Sequence, residues 1–143
     1  MNVRVDIAKE SSDELVQGLN KLLPQLSLTA PPLTLAQVNE LVQCDATIVF
    51  VAQEGDNIVG SLTLVVFPIP TGVRAWIEDV VVDESTRGTG VGEALTLAAI
   101  EEVRRRNVRS IDLTTRPSRE AANRLYARLG FERRETNVYR LSL

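Results

Sequence analysis

The sequence contains no histidine, and this absence removes several common kinds of active site. Ser-His-Asp hydrolases, Cys-His nucleophile pairs, imidazole general bases and histidine-ligated zinc all require the missing side chain. If the protein is an enzyme, its proton transfers must therefore use carboxylates, tyrosine, lysine, water or the backbone.

Cysteine and long apolar runs are also scarce. Cys44 is the only cysteine, which excludes a disulfide framework and a cysteine-cluster metal site, so its expected role is packing. A reducing, cytoplasmic environment is expected. No apolar run approaches the roughly 18 residues of a membrane span, and the first residues lack the apolar core of a secretory signal. The sequence therefore predicts no membrane partner.

Size and charge are ordinary for a globular protein. The 143 residues have a formal net charge of −3, with 44% hydrophobic and 24% charged residues. This balance argues against a broad basic surface for nucleic acid. A chain of this length can bury a core of its own, so a single domain over residues 1–143 is predicted.

Hydrophobic periodicity predicts an α+β protein with the element order β-α-α-β-β-β-α-β-α-β-β. Two helices follow the first strand, and the first of them is predicted to end at Pro24. A meander of three strands is then predicted at 46–53, 58–67 and 73–82. Two prolines place a turn at 68–72, because proline is excluded from central strands.

The C-terminal half predicts one parallel step in an otherwise antiparallel sheet. A helix over 90–106 is followed by a strand at 108–115, which is typical of a β-α-β unit. The next helix is predicted to end with Gly130 as its C′ residue. The segments FERR and NVYRLSL are predicted as two short final strands.

Three glycines lie within five residues between the VVV strand and the following helix: Gly88, Gly90 and Gly92. Glycine tolerates positive φ and lets a ligand approach the bare backbone. Successive amides in such a loop form an anion-binding concavity, and the helix adds its unpaired N–H groups. Arg87 supplies a permanent charge at the mouth. The stretch predicts a phosphate site, although a plain strand-to-helix turn uses glycines as well.

Two widespread phosphate motifs do not fit this loop. A P-loop needs a lysine that does not follow Gly92, and the dinucleotide fingerprint needs a third glycine where Leu95 stands. The segment RGTGVG, 87–92, instead resembles the Arg/Gln-x-x-Gly-x-Gly/Ala motif of the GNAT superfamily of acyl-CoA-dependent N-acyltransferases. NRLYARLGFE, 123–132, resembles the second signature of that family, a helix with a tyrosine followed by Gly-Phe. The order of elements also matches over almost the whole chain.

The resemblance implies a GNAT-like mixed, mostly antiparallel sheet of about seven strands with one parallel β-α-β step and about four helices. It implies acetyl transfer from acetyl-CoA, as co-substrate, to a primary amine by direct attack in a ternary complex, without a metal. The pantetheine amides would pair with the main chain of Val80 and Val82, whose side chains are expected in the core. The other implied cofactor contacts are Arg87, Gly88, Thr89, Gly90, Val91, Gly92 and Asn123.

The resemblance gives Tyr126 the role of general acid toward the departing CoA thiolate. A phenol with a pKa of about 10 is protonated at neutral pH and can donate that proton. A core tyrosine near Leu125, Leu129 and Phe131 is the alternative. Asn123 lies one helical turn before Tyr126 and shares its face, with an exposed surface position as the alternative for Asn123.

Glu78 and Asp79 interrupt the apolar strand WIEDVVV, where burial without a partner would be costly. Neighbouring strand residues face opposite sides, so the two acids can serve one site only if a bulge intervenes. By period two, Glu78 shares a face with Val80 and Val82, and IEDVVV resembles the corresponding strand of amino-sugar N-acetyltransferases in the family. Glu78 is therefore predicted to orient the amine or to act as its base through water, with a structural ion pair as the alternative.

Two functions remain open at this point. A non-catalytic module that binds or senses acyl-CoA is the alternative to an enzyme, and Tyr126 favours the enzyme. The expected partner is a small-molecule amine whose identity the composition does not reveal. A homodimer in which NVYRLSL pairs between two copies is a further option.

Overall fold

Side-chain caps fix the starts of the first two helices in the computed structural model, which describes residues 2–143. Ser12 accepts the Leu15 N–H at 3.1 Å at the start of α1 (Asp13–Leu26). Thr34 and Gln37 form a capping box at the start of α2 (Leu35–Gln43). The other elements are β1 (Arg4–Ile7), β2 (Thr47–Glu54), β3 (Asn57–Ile69), β4 (Gly72–Val82), α3 (Val91–Arg105) and α4 (Glu120–Arg128).

The four strands form one antiparallel sheet in the order β1-β2-β3-β4. One face packs on α3 around Leu62 and Leu95, and the other packs on α1 and α2 around Leu22 and Val38. All four of these side chains are at most 1% exposed. Because both faces are covered, β2 and β3 are nearly continuous apolar runs. The sheet therefore separates an α3 layer from an α1–α2 layer.

A β-bulge changes the facing of side chains in the middle of β4. Ser61 pairs with Val81 and Thr63 with Glu78, so that two residues of β4, Asp79 and Val80, oppose the single residue Leu62. Asp79 has a φ of +50°, the left-handed region that non-glycine residues seldom occupy. The alternation of inward and outward side chains therefore changes phase at Asp79.

The prediction of about seven strands is wrong, because the part of the chain that the structure describes has four in its one sheet. The 108–115 segment contributes a single parallel bridge, between Trp76 and Asp112. The backbone carbonyl of Asp112 accepts the Ile77 N–H, and the backbone N–H of Asp112 donates to the Ala75 carbonyl, each at 3.0 Å. FERR and NVYRLSL form no strand. From Glu132 onward, both segments are exposed and pair with no strand, so their alternating residues have neither a ladder partner nor a covered face.

The prediction of about four helices is confirmed within residues 2–143, and Gly130 lies beyond the end of α4 at a φ of +98°. Two proline boundaries are wrong. Pro24 lies inside the last turn of α1 instead of ending it. Pro68 lies within β3, in a stretch beyond Val66 where β2 no longer runs alongside, so its missing N–H removes no ladder bond. Among residues 2–143, no helix combines the length and apolar character that crossing a membrane requires.

Candidate functional site

The glycine loop forms an open backbone surface in front of α3. Gly88 and Gly90 have φ values of +78° and +93°, which side chains other than glycine rarely adopt. A Cβ added to either residue would meet no atom within 4 Å beyond its chain neighbours. The space above both residues is therefore free for a ligand that lies directly on the main chain.

The start of α3 adds backbone donors next to this loop. Gly90 is the N-cap residue, and the first helical hydrogen bond runs from the Ala94 N–H to the Gly90 carbonyl at 3.0 Å. The N–H groups of Val91, Gly92 and Glu93 precede this bond and have no partner within the helix. Together with the positive end of the helix dipole, they favour an anion such as a phosphate group.

Short local contacts fix the chain before the glycines. The Thr86 N–H and hydroxyl both donate to the Asp83 carbonyl, at 2.9 and 3.0 Å. The Thr89 hydroxyl donates to the Thr86 carbonyl. The exposed Arg87 folds back, and its Nε donates to the Val82 carbonyl at 3.3 Å. Arg87 thus lies at the mouth of the loop with its guanidinium against the end of β4.

One edge of β4 is open next to this loop. In residues 2–143, β4 pairs with β3 along one side, and the Trp76–Asp112 bridge is its only pairing on the other. In the described residues, the backbone from Glu78 to Val82 therefore has no strand partner on the side where a fifth strand was predicted. The side chains of Val80 and Val82 pack against the α3 core, as expected.

Helix α4 packs against the first turn of α3. A Cβ on Gly92 would lie 3.6 Å from Leu125 Cδ2 and 3.8 Å from Val82 Cγ2, which is ordinary van der Waals contact. Arg128 Nη2 lies 3.7 Å from Glu93 Oε1 across the same two helices. These contacts bring the two sequence motifs, RGTGVG and NRLYARLGFE, next to each other in space.

Tyr126 is the buried residue of α4, with 8% of its surface exposed. Its ring meets Phe131 edge-on, with the centroids 5.6 Å apart. The Phe131 N–H donates to the Tyr126 carbonyl at 2.9 Å, a helix-ending bond that the positive φ of Gly130 permits. Burial raises the pKa of the Tyr126 phenol, and the nearby Arg119 charge opposes that rise. The Tyr126 hydroxyl therefore keeps its proton at neutral pH.

Asn123 stabilises the segment that enters α4. Its Nδ2 donates to the Arg116 carbonyl at 3.0 Å and to the Arg119 carbonyl at 2.8 Å. Both amide hydrogens serve the backbone, so a cofactor contact from this side chain would use its Oδ1 acceptor. The cofactor contact at Asn123 stays a prediction.

The bulge places Glu78 and Asp79 differently from the sequence expectation. Both residues are exposed, so neither carries the cost of an unpartnered buried carboxylate, and the expectation that Glu78 shares a face with Val80 and Val82 is wrong. Glu78 pairs with Thr63, and both Thr63 and Asp79 line a cavity of about 70 Å³ beneath α1. Glu78 therefore shares the α1 face of the sheet with Asp79, whereas Val80 and Val82 face α3.

Sequence reasoning missed a contact between the end of α1 and the start of the glycine loop. The half-buried Gln25 donates from Nε2 to Asp83 Oδ1 at 2.7 Å and accepts the Glu84 N–H at 2.9 Å. The Ser85 hydroxyl also donates to Asp83. These hydrogen bonds, from Ser85 first and then Gln25, hold the pKa of Asp83 below its usual value. No sequence signal could have found this contact, because Gln25 and Asp83 are 58 residues apart.

Cys44 is exposed at the end of α2, so the expected packing role is wrong. The hydrogen bond from the Thr47 hydroxyl to Cys44 Sγ lowers the pKa of this thiol. Within residues 2–143, no group of three or more cysteine, aspartate or glutamate side chains is arranged to hold a metal ion.

The family model described as the acetyltransferase (GNAT) family matches residues 17–131. The chain belongs to this family. Glucosamine 6-phosphate N-acetyltransferase of Trypanosoma brucei brucei is 37% identical over 117 residues, which cover 76% of this chain and 78% of that protein. The crystal structure of a Trypanosoma brucei acetyltransferase matches with a TM-score of 0.81 at 29% identity, over 99% of this chain and 100% of that one.

A shorter similarity extends to much longer proteins. Mycothiol acetyltransferase of Amycolatopsis mediterranei is 42% identical over 57 residues, which cover 40% of this chain. That match spans only 19% of the length of the mycothiol enzyme. The similarity is therefore local.

Proposed function

We propose that this protein transfers an acetyl group from acetyl-CoA to a primary amine by direct attack within a ternary complex. The observation that carries the proposal is the packing of α4 on the first turn of α3, through Leu125 against Gly92 and Arg128 near Glu93. This packing joins an open amide-rich surface to the helix of a buried, protonated tyrosine. The GNAT family uses acetyl-CoA as its acetyl donor.

The residues of the loop fit the pyrophosphate of coenzyme A. Gly88 and Gly90 leave open space above the main chain, and the amides at the start of α3 offer donors that a diphosphate can accept. We expect Thr89, Val91 and Gly92 to contribute further main-chain contacts, with Arg87 released from the Val82 carbonyl to add charge. The open edge of β4 at Val80 and Val82 would receive the pantetheine arm as an added strand.

In the proposed reaction, Tyr126 assists departure of the CoA thiolate. Attack by the amine on the thioester carbonyl forms the amide, breaks the carbon–sulfur bond and leaves negative charge on sulfur. A protonated phenol can donate to that sulfur. Because burial raises its pKa, the Tyr126 phenol is available across the neutral range.

Glu78 is the proposed group that orients the amine or accepts its proton through water. The bulge adds a second carboxylate, Asp79, on the same face, so either acid could take this role. Both are exposed and therefore accessible to an amine arriving from the α1 side. Separate amide variants, Glu78→Gln and Asp79→Asn, distinguish the two acids.

The acceptor is best identified by a screen that follows thiol release from acetyl-CoA and confirms the acetylated product by mass spectrometry. The panel should contain amino sugars, amino acids, polyamines, aminoglycosides and lysine peptides. Glucosamine 6-phosphate belongs in it because a relative 37% identical to this chain carries that name. Binding of acetyl-CoA without turnover on any amine would favour the sensing module over the enzyme.

Replacement of Tyr126 by phenylalanine tests the general acid on whichever acceptor the screen finds. The change removes one hydroxyl and keeps the ring contact with Phe131, so the fold should persist. We expect kcat to fall about 10²- to 10⁴-fold while the Kd for acetyl-CoA stays nearly constant. Tyr139→Phe is the matched control, because Tyr139 is the only other tyrosine and is 88% exposed. Wild-type kcat in Tyr126→Phe would return Tyr126 to a packing role.

A further inference from the structure

The end of α1 and the start of the glycine loop are joined by one side chain, Gln25. Its amide is bidentate: Nε2 donates to the Asp83 carboxylate at 2.7 Å, and Oε1 accepts the Glu84 N–H at 2.9 Å. We propose that Gln25 is a positioning residue that holds the loop in the conformation that binds acyl-CoA. This proposal rests on the function proposed above.

A continuous set of hydrogen bonds leads from Gln25 to the glycines. Asp83, 6% exposed, receives the Gln25 amide on its carboxylate and the Thr86 N–H and hydroxyl on its carbonyl. The Thr86 carbonyl in turn receives the Thr89 hydroxyl. Thr89 lies between Gly88 and Gly90, so hydrogen bonds connect Gln25 to the open amide surface at each step.

The loop has few other attachments at this point. The Asp83 N–H donates to the Val59 carbonyl at 2.8 Å, which holds the loop to β3. Gln25 supplies the attachment to the α1–α2 layer, on the sheet face opposite to α3. Glycine-rich segments such as 88–92 have many accessible backbone conformations. Fixing the residues just before the glycines therefore limits the conformations that the glycines can reach.

The hydrogen bonds of Gln25 go to Asp83 and Glu84, just before the glycine loop, so its effect is expected in the affinity for the cofactor. If the competent loop becomes a minority conformation, the apparent Kd rises in inverse proportion to its population. The step after binding uses Tyr126 on α4, whereas the hydrogen bonds of the Gln25 side chain within residues 2–143 go to Asp83 and Glu84. We therefore expect the KM for acetyl-CoA to change and kcat at saturating acetyl-CoA to stay near that of the wild type.

The first test replaces Gln25 with leucine, which keeps the approximate size and removes both hydrogen bonds. Calorimetric titration with acetyl-CoA should show a Kd raised about tenfold, since one of the two lost bonds is made to a charged group. Gln17→Leu is the matched control, because Gln17 is an exposed glutamine on the same helix. Thermal melts establish that both variants are folded at the titration temperature. An unchanged Kd in a folded Gln25→Leu protein would overturn the proposal.

A second variant, Gln25→Glu, gives a readout that a change in stability alone would not produce. When protonated, this glutamic acid can donate to Asp83, but when ionised it repels the Asp83 carboxylate. The Asp83 carboxylate raises the pKa of the introduced carboxyl above its ordinary value of about 4.3. The ratio of the variant's Kd to the wild-type Kd should therefore be larger at pH 8 than at pH 4.5. The same ratio for Gln25→Leu should not depend on pH. A pH-independent ratio for Gln25→Glu would count against the proposal.

The outcomes separate this proposal from the proposed function. If the wild-type protein binds no acetyl-CoA, the proposed function fails and the role of Gln25 fails with it. If the wild-type protein binds acetyl-CoA and both Gln25 variants bind it equally well, only the positioning role is refuted.

Discussion

Gly90→Ala is the most informative single change in the loop, because the structure separates its effect on the fold from its effect on binding. Gly90 is the N-cap of α3 with a φ of +93°, and an added Cβ would meet no atom within 4 Å beyond its neighbours. The substitution therefore creates no clash in the free protein. Its only effect on the fold is the strain of an L residue at positive φ.

The size of that strain sets the expected loss of stability. A left-handed conformation costs a residue with a Cβ about 1–2 kcal/mol. For a domain of this size, that free energy corresponds to a Tm lower by about 3–8 °C. Gly55→Ala is the matched control, since Gly55 has a φ of +61°, equally open surroundings and a position in the β2–β3 hairpin turn. The two variants should lose similar stability.

Binding should separate the two variants. The Cβ of Gly90→Ala projects into the space that we assign to the pyrophosphate, so at least one charge-assisted hydrogen bond to a loop amide should be lost. Such a bond contributes about 1.5–3 kcal/mol, which raises the Kd for acetyl-CoA about 10- to 150-fold. Gly55→Ala should bind as the wild type does. Calorimetry at a temperature where all three proteins are folded measures the difference.

One result would refute the reasoning directly. If Gly90→Ala is folded and binds acetyl-CoA with wild-type affinity, the pyrophosphate does not lie on this loop. If Gly55→Ala loses affinity to the same extent, the loss in Gly90→Ala reflects general destabilisation and not the site.

Two further predictions concern carboxylates. Glu78 and Asp79 share one face, so either carboxylate can be the base. If Glu78 is the base, Glu78→Gln should lower kcat about 10²-fold or more in the thiol-release assay and leave the affinity for acetyl-CoA unchanged. A larger loss of kcat in Asp79→Asn would assign the role to Asp79. Hydrogen bonds from Ser85 and Gln25 lower the pKa of Asp83 in the folded protein, so its contribution to stability is present above the ordinary carboxyl pKa and is lost as pH falls through the folded value. In denaturant melts at pH 7, Asp83→Asn should therefore have a smaller free energy of unfolding than the wild type. Below about pH 4, its free energy of unfolding should fall less than that of the wild type. An equal fall in the two proteins would contradict this prediction.

Sequence reasoning succeeded where the signal is local. The end of α4 at Gly130 and the glycine loop before α3 both depend on residues within a few positions of each other. The packing of the two motifs on each other could be expected only from the family resemblance. The structure supplies the physical contact, between Leu125 and the α3 first turn.

The errors share a different cause, because each depends on partners distant in sequence. The bulge at Asp79 is a shift in the register of β3 and β4 between Ser61 and Thr63, and no residue pattern in WIEDVVV predicts its position. That single extra residue moved Glu78 to the α1 face and brought Asp79 beside it. NVYRLSL has the alternation of a strand, yet Val138 and Tyr139 are 74% and 88% exposed, because periodicity does not provide a ladder partner.

The environment of Tyr126 limits how the proposed general acid can work. A thiol has an ordinary pKa of about 8.5 and a phenol about 10, and burial raises the pKa of the Tyr126 phenol further. Complete proton transfer from Tyr126 to a free thiolate is therefore uphill by at least about 2 kcal/mol. The phenol is then most effective as a hydrogen-bond donor to the sulfur while negative charge develops there. The thiolate is finally neutralised by the proton that the attacking amine releases. On this account the pH–rate profile below pH 9 contains no ionisation of Tyr126. Tyr126→Phe should lower that profile without moving its inflections, and an alkaline inflection that disappears in the variant would contradict this account.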